Sequence, residues 1–115
     1  MTMKTWDKLK IRILGVDPET FIAYRTAIPT TIDLRVDSIG DSFVATINSI
    51  DKQDLPESEF LITEAQSQEE LIDMVNDLVF SYKQIPEAYR PYYKRTLQPQ
   101  GEVRQTGSLE LVKAG

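Results

Sequence analysis

The sequence predicts an α+β fold: an antiparallel sheet of three or four strands with one amphipathic helix packed on it, preceded by short helical segments at the N-terminus. Three observations carry this. Two runs of alternating apolar and polar residues flank Gly40-Asp41. A third short run, Phe60 to Thr63, follows a loop. A capped amphipathic pattern then extends from Ser67 to Tyr82. At 115 residues the chain makes one domain. It divides into an N-terminal helical segment (1–29), a β-β-β-α module (30–86), and a Pro-, Tyr- and base-rich arm with a C-terminal tail (87–115).

Residues 5–14 carry two patterns. Leu9, Ile11 and Ile13 alternate with Lys8, Lys10 and Arg12, the period of a strand. Trp6, Leu9 and Ile13 also fall at helical spacing, with Thr5 able to cap and Gly15 able to stop a helix. Both readings stand; the end signals favour a short helix anchored by Trp6. The next element is clearer. Asp17 suits an N-cap, Pro18 the first helical position and Glu19 the first turn, so a helix runs from Pro18 to about Ala27, ended by Pro29.

The hairpin is the best-specified part. Ile32, Leu34 and Val36 share one face, and Phe43, Ala45 and Ile47 match it across the turn. Gly40 supplies the positive φ that a tight hairpin needs. Ser67 and Glu70 have capping-box spacing at the start of a helix over 68–84. Leu71, Val75, Leu78 and Tyr82 form its apolar stripe, widened by Met74 and Val79. The expected core is Ile32, Leu34, Val36, Phe43, Ala45, Ile47, Ile62, Leu71, Val75 and Leu78.

Charge is divided sharply. Residues 30–81 hold twelve of the eighteen acidic side chains and two of the thirteen basic ones, net −10, while both flanks are net positive. Such a surface either solvates the module or meets an electropositive partner, including the basic flanks of a neighbouring subunit. A nucleic-acid duplex on the acidic module is disfavoured, because phosphates would be repelled. The chain has no Cys and no His, which removes thiolate chemistry and the commonest general acid/base. Asp33, Asp37 and Asp41 lack the spacing of a calcium loop. No enzyme activity, metal or cofactor is expected. Charges interrupt the N-terminal apolar residues, unlike a signal peptide, and no run is long enough for a membrane span. The cytoplasm is the expected location.

Read in order, TTIDLRVDSIGDSFVATINSID, Leu55-Pro56, a short third strand and the helix start Ser67-Gln68-Glu69-Glu70-Leu71 resemble the HicB-like antitoxin domain over residues 30–82. The resemblance implies a non-enzymatic, oligomeric protein that covers a small basic toxin. The solvent-face acids Asp33, Asp37, Asp73 and Asp77 are the candidate contacts. The rival expectation is a stand-alone homo-oligomeric structural or regulatory domain on the same scaffold.

The arm sets Tyr89, Tyr92 and Tyr93 beside Arg90, Lys94 and Arg95. Interleaved aromatics and cations suit unpaired bases, which gives weak nucleic-acid binding as a further alternative. They also suit tyrosines packed back on the core or on a second subunit. The tail from Gln98 is expected to be mobile apart from Leu109–Val112, a run that can add as an edge strand in an oligomer.

Overall fold

A computed structural model of the chain describes residues 17–100 and 107–114. The 5–14 segment and Trp6 lie outside these residues. Asp17 caps helix α1 (Pro18–Ala27), its carboxylate accepting from Thr20 N at 3.1 Å and Thr20 Oγ1 at 2.7 Å. Those hydrogen bonds hold the Asp17 carboxyl below its ordinary pKa. The helix buries no residue completely; Phe21 and Tyr24 pack against the core from its inner side.

Strands β1 (Thr31–Ile39) and β2 (Ser42–Ile50) form the predicted hairpin, with Gly40 at φ +60° as the first of two turn residues. Their register skips Asn48 between the pairs Asp33–Ser49 and Leu34–Ile47. This bulge matters because Ile47 and Ile50 would otherwise point to opposite faces; with it, both are buried. The next turn also has two residues. Asp51 and Lys52 have φ of 52° and 65°, and the Asp51 carboxylate accepts from Thr30 N at 2.7 Å and Thr31 N at 3.1 Å.

Strand β3 (Gln53–Asp54) pairs with Ser49–Ile50, a 3₁₀ turn covers Glu57–Glu59, and β4 (Leu61–Ala65) pairs with Phe43–Ile47. β3 and β4 thus share one side of β2. Helix α2 (Gln68–Tyr82) follows, with Ser67 Oγ accepting from Glu70 N at 3.1 Å and Glu70 accepting from Gln66 N at 3.4 Å. It ends at Lys83, with Gln84 in the left-handed region at φ 60° and Ile85 N donating back to Phe80 O at 2.9 Å, a Schellman closure.

The α+β architecture is the predicted one, but the described residues contain six strands where three or four were expected. The additions are the two-residue β3 in the loop after β2 and two strands from the tail. β6 (Gly107–Lys113) lies antiparallel along β1, from Thr31–Val112 to Val36–Gly107, and β5 (Leu97–Pro99) pairs with β6. Leu109–Val112 therefore adds to its own sheet, and Leu97 and Leu111 are wholly buried. Backbone pairing thus orders Gln98, Pro99, Gly107 and Ser108, parts of a tail that composition alone marks as mobile.

The core expectation needs three corrections. Ile62 is 62% exposed, because pairing with β2 aligns Leu61, Thr63 and Ala65 with the core face and turns Ile62 and Glu64 outward. Leu78 and Phe43 are half-buried at the rim of the core. On α2 the buried set is Leu71, Ile72, Val75, Asn76, Val79 and Phe80, while Met74 and Tyr82 are exposed. The stripe is rotated because α2 packs on two things, the sheet and the arm.

Candidate partner-binding surface

Two of the four acids marked by the sequence, Asp73 and Asp77, meet the basic arm. After Pro86 the chain turns back along α2 through a 3₁₀ turn at Arg90–Tyr93. Arg90 donates through Nε to Ile85 O at 2.8 Å and through Nη1 to Asp77 at 3.5 Å. Arg95, at φ 61°, donates to Asp73 at 2.9 Å and to Glu69 at 2.7 Å. These contacts hold the Asp73 carboxyl below its ordinary pKa and push the Arg95 guanidinium up. The basic flank thus lies on the acidic helix within one chain, and Asp73 and Asp77 are already engaged. A groove of about 530 Å³ remains between them, its lining including Asp73, Asp77, Phe80, Glu87, Arg90 and Lys94.

The arm's tyrosines point inward. Tyr93 is buried, its ring 5.1 Å from Phe21 and 6.3 Å from Phe80, and its hydroxyl donates to Phe21 O at 2.6 Å. Burial pushes the Tyr93 phenol up to about 12. Tyr92 meets Phe21 edge-on at 5.8 Å, and Tyr89 lies 4.9 Å from Tyr24. These rings fasten α1 to the arm. Lys94 is exposed at the groove.

Asp33 and Asp37 stand elsewhere, on the sheet face away from α2. Asp37 takes Arg35 at 3.2 Å, and Asp33 lies 3.8 Å from Lys52, which also donates to Glu110 on β6. The Glu110 hydrogen bond, with Asp33 nearby, raises the Lys52 ammonium above its ordinary pKa. All four acids named from the sequence therefore carry an internal cation.

Among the described acids that form no ion pair, four gather on the β3–β4 side. Asp54, Glu57, Glu59 and Glu64 are exposed and have no ion-pair partner among the described residues. They follow one another along β3, the 3₁₀ turn and β4, beside exposed Ile62. In the sequence they count among the twelve acids of residues 30–81 without being singled out; the outward pair Ile62 and Glu64 becomes legible only once β4's register is known. Among the described residues no three His, Cys, Asp or Glu side chains converge as metal ligands would, and no helix is long and apolar enough to cross a membrane. Comparison with protein-family models, curated proteins and solved structures finds no match for this chain.

Proposed function

We propose that the chain is a non-enzymatic protein-binding module, of the kind its HicB-like resemblance implies, that covers a small basic protein with the acidic margin of its sheet. One observation carries this reading. Asp33, Asp37, Asp73 and Asp77 each pair with an internal cation, whereas Asp54, Glu57, Glu59 and Glu64 lie together, exposed, with no ion-pair partner among the described residues. Unneutralised charge of one sign steers an opposite partner and speeds the encounter.

Capture from a native-host lysate tests it. The wild-type chain should recover a basic protein at low salt and lose it as salt rises, since exposed charges are screened within about 8–10 Å at physiological ionic strength. The triple variant Glu57→Lys, Glu59→Lys, Glu64→Lys should not recover it. Recovery of only the chain itself at low salt rejects the reading.

A second reading, a homo-oligomeric structural domain, is favoured by Ile39 and Ile62, 63% and 62% exposed on the sheet. Apolar side chains so placed suit a subunit contact. Light scattering that gives a monomer mass at high concentration rejects it.

A further inference from the structure

We infer that the partner is taken up by strand addition: an extended segment bearing alternate cations pairs with the free edge of β4. The inference rests on the reading above and names its mode. Among the described strands β4 pairs only with β2, so its outer backbone groups face no strand. A five-residue edge with open amides and carbonyls is a template for another chain. The opposite margin of the sheet is blunted. β5 has three residues, and Pro99 there has no N–H to donate. Among the described strands β4 is therefore the longest edge left open.

Side chains select the occupant. On β4, Ile62 and Glu64 stand outward while Leu61, Thr63 and Ala65 share the core face. A strand laid beside it places alternate residues next to Ile62 and Glu64. Cations at those positions meet Glu64, with Glu57, Glu59 and Asp54 continuing the same margin. A second copy of β4, paired antiparallel about Thr63, would set Glu64 against Ile62 and bring no cation to the margin of Asp54, Glu57, Glu59 and Glu64. Charge complementarity therefore points to a basic partner segment.

The probe is a synthetic peptide of about eight residues, a common strand length, with Lys and Val alternating. Controls are the same peptide with a central Pro and an alternating Glu/Val peptide. Binding is read by fluorescence anisotropy on the full chain, and pairing by hydrogen exchange of those 61–65 amides that point away from β2. The Lys/Val peptide should bind and slow exchange of those amides. Glu64→Lys, or Pro in the peptide, should weaken binding about tenfold or more, the equivalent of one lost charged or backbone contact. Equal binding of the Pro peptide, or no protection of those amides, overturns strand addition while leaving charge-driven partner binding intact. Protection of those amides without peptide, in a chain that is dimeric by light scattering, assigns the edge to a second copy and also overturns the inference. Failure of every basic probe, together with self-capture alone from lysate, removes both readings.

Discussion

Asn76 clasps the backbone of Leu97 with both ends of its amide. Its Nδ2 donates to Leu97 O at 3.0 Å, and its Oδ1 accepts from Leu97 N at 2.8 Å. The same Nδ2 donates to Ile72 O at 2.8 Å, and the side chain is buried. This joins α2 to the start of β5 in the same way that a strand neighbour would. Asn76→Leu keeps the volume but leaves the Leu97 N–H and C=O unpaired. It should cost about 2–6 kcal/mol, from about 1–3 for each of the two stranded groups, measured as a shift in urea midpoint.

Tyr93 ties the arm to α1 and confers a pH dependence. Its phenol is raised in the folded state from the ordinary value of 10 to about 12, so folding favours the neutral form. That contribution is complete below pH 10 and is lost as pH rises from 10 through about 12. Tyrosinate absorbance should show one late-titrating phenol, absent in Tyr93→Phe. The variant's stability should fall less steeply over that window.

The rotated face of α2 makes an ordered pair of truncations. Leu71 is 2% exposed and Leu78 half-buried. Leu71→Ala should cost about 2–5 kcal/mol, and Leu78→Ala clearly less, by chemical denaturation. Equal losses would restore the stripe read from the sequence.

Gln84 holds φ 60° at the position after the α2 cap, where glycine carries no steric penalty. The left-handed conformation costs a side-chain-bearing residue about 1–2 kcal/mol, partly offset by glycine's greater unfolded freedom. Gln84→Gly should therefore stabilise by about 0.5–1 kcal/mol and raise the thermal midpoint.

Reversing the acids under the arm should differ from reversing those at the sheet margin. Asp73→Lys with Asp77→Lys faces Arg95 and Arg90 with like charge and should lower the denaturation midpoint. Glu57→Lys with Glu59→Lys meets no partner among the described residues and should leave it unchanged. Thermal melts at low salt separate the two.

Local signals made the hairpin and both described helices legible. Gly40, Asp17 and Ser67 act within a few residues, so the sequence carries their whole rationale. Long-range pairing was not legible. Nothing near Leu109 says that it will lie beside Leu34, and the uniformly apolar run Phe60–Ile62 has no alternation to set its face until Ile47 pairs with Leu61. Asn76 is polar and at helical spacing reads as wet; only the Leu97 backbone accounts for its burial. The acids and cations were visible from composition, but not that Arg95 and Arg90 would take up Asp73 and Asp77.

The pairing of β1 with β6 also governs the order of events in folding. Thr31 waits for Val112, and Val36 for Gly107. The hairpin and α2 can form from neighbouring residues, yet β1 keeps one raw margin until a very large loop closes. Closure entropy grows only slowly with length, but the search for so distant a contact slows the rate. Without β6, β1 presents a row of unpaired backbone groups of the kind that recruits other chains, so a chain truncated before Gly107 should aggregate more readily than the full chain.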